Sequence, residues 1–100
     1  MERRLRWTWD WEKDRANRTK HGLSFQSAAR VFDDPVAMTQ RDPYEGEQRL
    51  RTIGTVGTAI VLVVHTWPED DWPTGDDVGR IISARKATEY ERMAYAEGHF

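Results

Sequence analysis

The sequence predicts an α+β domain, in which two N-terminal helices and one C-terminal helix pack on an antiparallel β-sheet. Three observations predict this class. Apolar and polar residues alternate near the N-terminus, apolar residues then recur at helical spacing, and a purely apolar run at 59–64 lies among further strand-like segments. A chain of 100 residues is enough for one small domain, which we assign to residues 1–100. The expected order of elements is β-α-α-β-β-β-β-α.

The first strand and the first helix follow from local patterns. The apolar side of the strand, which alternates with polar residues, consists of Leu5, Trp7 and Trp9. Asp10 is in position to cap a helix over residues 11–21. Gly22 stands where a left-handed C-terminal cap is expected, so the helix should end there.

A second helix is predicted to begin at Ser24. Its apolar residues have the i, i+3, i+4, i+7 spacing of one helix face and are Phe25, Ala28, Ala29 and Phe32. The segment 33–35 (Asp-Asp-Pro) should end this helix, because the residue before a proline is pushed out of the helical region.

The middle of the chain predicts the antiparallel strands. A weak strand is expected near 36–40, a stronger one at 48–53, a turn at 54–57 and a strand at 58–66. The last of these is apolar on both faces, so we place it at the centre of the sheet, under the helices. Another strand is expected at 80–85.

Two features complete the pattern. Residues 67–79 contain two prolines, two glycines and two tryptophans, and they predict a long loop rather than a continuous strand or helix. Thr88 and Glu91 form the capping box of a C-terminal helix, which should stop near Gly98.

The charge of the chain is unevenly distributed. Fifteen basic and seventeen acidic residues give a formal net charge of −2, which is not the positive excess usual for a dedicated duplex-DNA binder. Residues 1–30 nevertheless contain eight basic and four acidic residues, whereas residues 66–79 contain five acidic residues and no basic one. This layout can offer a basic cleft to an anion while the remaining surface stays acidic.

Cysteine is absent, which excludes disulfides and thiolate metal sites and permits a reducing compartment. The longest apolar run is too short to span a bilayer, and the basic N-terminus is not followed by the apolar stretch of a signal peptide. We therefore expect a soluble cytoplasmic protein that does not associate with membranes.

The first helix carries a stripe of candidate anion ligands. Lys13, Asn17 and Lys20 fall at i, i+4 and i+7, and the stripe ends beside His21. All four side chains can donate hydrogen bonds to anionic oxygens. The alternative is an ordinary solvated helix face, with a histidine that only satisfies the last helical carbonyls.

The strands add a second set of polar candidates. Glu47, Arg49 and Arg51 alternate onto one face of their strand, although Glu47 and Arg49 can also form an ordinary ion pair. Another strand contributes the candidates Arg80, Ser83 and Arg85. Strict alternation separates Arg80 from Arg85, so a bulge or kink near Ser83 is required for both to meet one ligand.

Other kinds of site are poorly supported. His65 ends the central strand, where a core histidine hydrogen-bonded to the backbone is expected rather than a catalytic one. The three histidines show no metal-binding spacing, so we expect neither a metal nor another cofactor. No phosphate-binding glycine-rich loop, serine nucleophile elbow or paired-cysteine site is present.

These exclusions leave metal-free cleavage of RNA, in which the 2′-hydroxyl of the substrate attacks the neighbouring phosphate. Such a site needs a side chain that accepts or donates the proton in the reaction. It also needs cations that stabilise the phosphate. His21 or Glu47 can move the proton. The cations that can hold the phosphate are Lys20, Arg49, Arg80 and Arg85, and Lys13, Asn17, Arg51 and Ser83 are candidates for binding the rest of the RNA. DNA lacks the hydroxyl, which makes RNA the only substrate of this mechanism.

The whole pattern resembles the BrnT family, the ribonuclease toxins of type II toxin–antitoxin pairs. The resemblance rests on several motifs in one order: Trp9-Asp10-x-x-Lys13-x-x-x-Asn17-x-x-Lys20-His21-Gly22-Leu23-x-Phe25, Val31-Phe32-Asp33-Asp34-Pro35, Arg49 with Thr52-Ile53-Gly54, Val63-Val64-His65-Thr66, and Arg80-Ile81-Ile82-Ser83-Ala84-Arg85-Lys86-Ala87-Thr88 with Glu91-Arg92. The acidic, tryptophan-bearing segment after Thr66 departs from the short, often basic turn usual in that family.

The resemblance implies a fold similar to the RelE-type ribonuclease toxins and a metal-independent RNase that inhibits translation. It also implies neutralisation by a cognate BrnA-like antitoxin with a ribbon-helix-helix domain, so that operator DNA is bound only through the complex. The positions that match the basic and acidic catalytic positions of the family are Lys20, His21, Glu47, Arg49, Arg80 and Arg85.

Two other functions remain open at this stage. One is a catalytically inactive, toxin-like module that only binds protein partners. The other is a toxin that acts on a protein target such as a topoisomerase.

Overall fold

The computed structural model describes residues 4–100, and Met1 and the two residues after it lie outside the described range. Its elements, in chain order, are β1 (Leu5–Trp9), α1 (Trp11–His21), α2 (Phe25–Ala28) continued by a 3₁₀ segment (Ala29–Asp33), β2 (Met38–Arg41), β3 (Leu50–Val56), β4 (Ala59–His65), β5 (Glu69–Asp71), β6 (Asp76–Lys86) and α3 (Glu89–Glu97). The mixed α+β class with three helices is confirmed, but the expected order of elements is wrong, because β5 was not anticipated.

The strands form one mixed sheet in the order β1-β6-β4-β3-β2, and β5 pairs with the first part of β6. All pairs are antiparallel except β1 with β6, which run parallel with Leu5 opposite Asp77 and Trp9 opposite Ile81. The expectation of a purely antiparallel sheet is therefore wrong. Parallel pairing requires a long connection rather than a hairpin, and these two strands are separated by most of the chain.

The segment 67–79 is not the irregular loop that its composition predicts. Its two halves pair as a hairpin, with Glu69 opposite Val78 and Asp71 opposite Asp76. Gly75 makes the turn possible with a φ of 78°, which favours glycine, and its N–H donates to the Asp71 carbonyl at 3.1 Å. Arg6 of β1 forms ion pairs with the carboxylates of Asp71 and Asp76 at 3.1 and 2.9 Å, so part of the acidic charge is neutralised by the N-terminal strand.

Strand β3 extends through the predicted turn. Gly54 lies inside the strand and is buried, so the turn begins only at Gly57, with a φ of 61°. A side chain at position 54 would approach Val31 Cγ2 to 2.8 Å, which shows that this glycine serves close packing of the 3₁₀ segment on β3.

The helices lie on opposite faces of the sheet, over two separate apolar clusters. On one face, which we call the α2 face, Phe25, Ala28 and Val31 pack on Val61, Val63, Ile81 and Ala84. On the other, the α3 face, Ile53, Leu62 and Ala87 pack with Tyr95 and Phe100. Strand β4 is thus covered on both faces, as its sequence predicts. Within residues 4–100, no helix is both long and apolar enough to cross a membrane.

The predicted helix caps are confirmed. The Asp10 carboxylate accepts hydrogen bonds from the N–H groups of Glu12 and Lys13, and Gly22 ends α1 with a φ of 67°. Thr88 and Glu91 form both hydrogen bonds of the capping box at the start of α3. The second helix is correctly placed at its Ser24 cap, but it contains only one α-helical turn before it tightens into the 3₁₀ segment.

Candidate functional site

A bulge in β6 determines which of its polar side chains share a face. Val64 lies opposite Ser83 and His65 lies opposite Ile81, so Ile82 is an extra residue in the ladder. Ile81 belongs to the cluster on the α2 face. Alternation on each side of the bulge then places Arg80, Ser83 and Arg85 together on the α3 face. The bulge that the sequence pattern requires near Ser83 is present at the preceding residue, Ile82.

Strand β3 brings its arginines to the same face. Leu50 and Thr52 lie opposite His65 and Val63, and Val63 belongs to the cluster on the α2 face. Arg51 consequently lies on the α3 face, in one row with Val64 and Ser83 across the sheet. Arg49 lies just before β3, and its guanidinium reaches the same side, because it shares Glu47 with Arg80.

Glu47 joins the two strands. Arg80 Nη2 donates to both carboxylate oxygens of Glu47, at 3.1 Å to Oε1 and 2.9 Å to Oε2, and Arg49 Nε donates to Oε1 at 3.2 Å. The hydrogen bond from Arg49, helped by the positive charge of Arg80, holds the pKa of Glu47 below its ordinary value. These three residues, which we call the Glu47 cluster, therefore present an ionised carboxylate between two guanidinium groups on an exposed surface.

An aromatic side chain lies beside the Glu47 cluster. The ring of Tyr44 is 3.6 Å from Arg49 Cζ, at stacking distance. The sequence patterns did not single out Tyr44, because it lies in an irregular polar segment between β2 and β3. The one feature of the sequence that could have identified Tyr44 as a site residue is that an aromatic residue lies close to a charged strand segment.

Arg85 has a different partner. Its guanidinium makes two hydrogen bonds to the carboxylate of Glu91, at 2.7 and 3.0 Å, and so attaches β6 to α3. These bonds hold the pKa of Glu91 at about 2 and raise the pKa of Arg85. Arg51 is also engaged, since its guanidinium lies 5.3 Å from the Phe100 ring. Of the arginines on this face, only Arg49 and Arg80 meet at one carboxylate.

Asn17 has a structural position, and the expectation that it shares an exposed stripe with Lys13 and Lys20 is wrong. Its side chain is buried, its amide N–H groups donate to the carbonyls of Leu23 and Ala84, and its oxygen accepts from the Ala84 N–H. The pairing of β1 with β6 ends at Ile81, so this amide satisfies the free edge of β6 beyond that point.

Replacing Asn17 by alanine is expected to lower the free energy of unfolding by about 2 kcal/mol, because buried backbone groups would lose their partners. Urea denaturation measures the effect. Lys13→Ala, in the same helix but exposed, should change stability by less than about 0.5 kcal/mol. Equal stabilities of the two variants would contradict the structural position of Asn17.

The other candidates on α1 stay apart from the Glu47 cluster. Lys20 is exposed and lines a shallow depression formed by α1 alone. His21 is half-buried at the end of the helix, next to the Gly22 cap. In the described part of the chain, no hydrogen bond or ion pair connects Lys13, Lys20 or His21 with the strand arginines.

His65 is a core histidine, as expected. Its Nδ1 is 2.8 Å from the Thr66 carbonyl, which can only accept, so Nδ1 carries the proton and Nε2 accepts from the Thr52 hydroxyl at 2.7 Å. Burial lowers its pKa, which keeps the ring neutral. It borders an apolar cavity of about 360 Å³ on the α2 face, with the rings of Trp7 and Phe32.

Three clefts open beside the Glu47 cluster. One, of about 300 Å³, is lined by Glu47, Gln48, Thr66, Trp67, Glu69 and Val78. Another, of about 230 Å³, is lined by Arg41, Asp42, Tyr44, Gly46, Glu47, Gln48 and Arg49. The third, of about 200 Å³, is lined by Arg41, Gln48, Arg49, Leu50 and Trp67. Of the charged candidates, Glu47 and Arg49 therefore border concave surface, whereas the depression at Lys20 is separate.

Comparison with models of known protein families gives a match. A sequence model of the family described as "Ribonuclease toxin, BrnT, of type II toxin-antitoxin system" matches residues 9–91. None of the curated proteins compared with the chain matches it. The matched range covers most of the chain and contains the whole Glu47 cluster.

Proposed function

The chain belongs to the BrnT family of ribonuclease toxins of type II toxin–antitoxin systems, and from this premise we propose that it is a metal-independent endoribonuclease. The substrate is RNA, cleaved by attack of its own 2′-hydroxyl on the adjacent phosphate. The observation that carries the proposal is the Glu47 cluster, which combines a proton acceptor with two phosphate-binding cations.

Each member of the cluster has a role in this reaction. The ionised Glu47 accepts the proton of the 2′-hydroxyl as that oxygen forms its bond to phosphorus. Arg49 and Arg80 donate hydrogen bonds to the phosphate oxygens, whose negative charge grows in the transition state. A guanidinium has five N–H donors, and Glu47 uses one nitrogen of each arginine, so donors remain for a phosphate. The bond from phosphorus to the 5′-oxygen then breaks, that oxygen takes up a proton from water, and Glu47 returns its proton to the solvent.

The geometry favours Glu47 over His21 as the proton acceptor. Glu47 contacts both phosphate-binding arginines, whereas His21 contacts neither. Lys20 lies on the α1 surface and is not needed by this arrangement. Arg51 and Ser83 lie in the adjoining row of the same face, where they suit binding of the rest of the RNA.

The proposal is tested with purified protein, a defined single-stranded RNA and EDTA. Cleavage that leaves a 2′,3′-cyclic phosphate and a 5′-hydroxyl supports it, because only attack by the 2′-hydroxyl gives these ends. A matched oligonucleotide with 2′-deoxyribose throughout should remain intact. RNA that also stays intact, with and without added ribosomes, would contradict the proposal and support a toxin-like module that only binds partners.

The family implies an antitoxin partner. We propose that the partner is a BrnA-like antitoxin with a ribbon-helix-helix domain, which binds operator DNA for the complex, and that the toxin acts in the cytoplasm by inhibiting translation. Co-expression of a BrnA-like antitoxin should restore growth of cells that this toxin arrests.

The acid side of the pH profile should follow from the pKa of Glu47. Since the arginines lower this pKa, protonation of Glu47 requires a lower pH than that of an ordinary glutamate. We therefore expect the acid-side decline of kcat/KM to be shifted to lower pH. The hydrogen bond from Arg49 is the largest cause of the lowered Glu47 pKa. In Arg49→Ala the decline of kcat/KM should therefore begin at higher pH than in the wild type. An identical acid limb in both proteins, folded by circular dichroism, would exclude Glu47 as the base.

A further inference from the structure

Trp67 is a large, exposed aromatic side chain beside the Glu47 cluster. Its exposed fraction is 65 %, although a tryptophan usually loses most of its surface to the core. It lines two of the three clefts of that region, one with Glu47 and the other with Arg49, and it also borders the apolar cavity of the α2 face. An indole is therefore presented to solvent next to the groups that bind a phosphate.

The backbone holds Trp67 in this position. The N–H of Thr66 donates to the Arg80 carbonyl and the Arg80 N–H donates to the Thr66 hydroxyl, both at 2.9 Å. Pro68 restricts the backbone of the residue before it. Trp67 thus follows a residue bonded directly to the backbone of Arg80, so the fold holds the backbone of Trp67 close to β6. A backbone that is already held in place loses little entropy when a ligand binds.

The neighbouring aromatic residues provide a contrast. Trp72 is 83 % exposed, but it lies in the turn of the hairpin and lines none of the three clefts. Tyr44 lies over Arg49, so one of its faces is already occupied. Trp67 is the tryptophan that shares a cleft with Glu47 in the described part of the chain.

We propose that Trp67 is a base-stacking subsite, which binds one unpaired nucleobase of single-stranded RNA next to the phosphate held by Arg49 and Arg80. Aromatic side chains bind exposed bases by stacking, and unpaired bases are accessible only in single strands and loops. The base lies on the indole while its phosphate lies on the guanidinium groups. This inference rests on the proposed function, since it assumes that the Glu47 cluster binds RNA.

The substrate class follows from this arrangement. A paired base is stacked within its own helix and cannot cover the indole, so duplex RNA should bind more weakly than a single strand of the same length. Glu69 lines the same cleft as Trp67, and its negative charge repels phosphates, which favours a base rather than the RNA backbone on this side of the cleft.

The test measures binding of an RNA that cannot be cleaved. A fluorescent 12-nucleotide single strand with 2′-O-methyl groups is titrated with the wild-type protein, Trp67→Ala, Trp67→Phe and Trp72→Ala, using anisotropy. A parallel set of oligonucleotides carries one abasic nucleotide at each position in turn. Thermal denaturation of each variant monitors folding.

We expect Trp67→Ala to raise the Kd roughly tenfold, the size of one lost stacking contact, while Trp67→Phe recovers most of the affinity. Trp72→Ala should stay within about twofold of wild type. One abasic position should weaken binding to the wild type but not to Trp67→Ala, because each change removes one side of the same contact.

The outcomes separate this inference from the proposed function. If the wild type binds RNA and Trp67→Ala binds as well as Trp72→Ala, or if all abasic positions weaken both proteins equally, the stacking subsite is wrong and the nuclease proposal stands. If the wild type binds neither single-stranded nor duplex RNA, both proposals are overturned.

Discussion

Replacing Arg80 by alanine is expected to lower kcat/KM for RNA cleavage by about 100-fold or more. The arginine supplies hydrogen bonds to the phosphate as negative charge develops on it, and losing one such preorganised donor commonly costs a factor of that size. Arg80 also holds Glu47 in place through two hydrogen bonds, so without Arg80 the carboxylate that is the proposed general base is no longer held in position. Initial rates on a defined RNA, in EDTA and with excess substrate, measure the effect.

Two further variants show whether the loss of kcat/KM in Arg80→Ala results from a change in the proposed active site. Arg80→Lys keeps the charge but not the two-pronged geometry, and it should fall between the wild type and alanine. Lys20→Ala removes a cation that the structure places on the separate α1 surface, and it should retain the wild-type rate within about threefold. A loss in Lys20→Ala as large as that in Arg80→Ala would mean that α1 belongs to the active site. Circular dichroism and antitoxin binding confirm that each variant is folded.

Replacing Asp34 by alanine is expected to lower the free energy of unfolding by about 3 kcal/mol. Its carboxylate accepts hydrogen bonds from the Val36 N–H at 2.9 Å, from the N–H and hydroxyl of Thr55 at 2.8 and 3.1 Å, and from the Tyr95 hydroxyl at 2.5 Å. One side chain thereby connects the segment before β2, strand β3 and helix α3. Hydrogen bonds to a charged group contribute more than neutral ones, and removing the acceptor leaves several donors without a partner.

Chemical denaturation of Asp34→Ala, with Asp33→Ala as a control, measures this effect. Asp33 is the adjacent acidic residue, but it is exposed and makes no side-chain hydrogen bond within residues 4–100, so its removal should cost less than about 0.5 kcal/mol. Equal destabilisation of the two variants would show that Asp34 does not connect the elements.

The same carboxylate gives a pH dependence of stability. The Tyr95 hydroxyl, followed by the N–H groups of Val36 and Thr55, lowers the pKa of Asp34 from 3.8 to about 2. A group with a lower pKa in the folded state stabilises the fold above its unfolded pKa, and this contribution is lost as pH falls through the folded pKa. The difference in stability between wild type and Asp34→Ala should therefore be complete above pH 4 and shrink towards pH 2.

The sequence by itself determined the local elements and the family. Strand β1, both helix caps of α1, the capping box of α3 and the doubly buried β4 all follow from patterns within a few residues, where the physical cause is local. The family was recognisable because its motifs occur in order along the chain, and the match over residues 9–91 confirms it. The likeness to RelE-type toxins remains a prediction.

Tertiary structure decided which of the candidate residues meet. Asn17 looked like an exposed anion ligand, but the end of β1 leaves a free edge on β6 that its amide satisfies. Gly54 looked like a turn residue, although it serves close packing against Val31. Segment 67–79 looked irregular, but pairing with β6 and the ion pairs of Arg6 make it a hairpin.

The candidate site shows the same division. Alternation alone predicted that Glu47, Arg49 and Arg51 share a face. It also indicated that Arg80 and Arg85 can lie on one face only if their strand contains a bulge. It did not predict that Glu47 binds Arg80 while Glu91 binds Arg85, nor that Lys20 and His21 lie apart from both. Such pairings join residues that are distant in the chain, and sheet register and helix packing determine them. A sequence pattern specifies the face on which a side chain lies, and only the folded chain brings two faces or two strands within hydrogen-bonding distance.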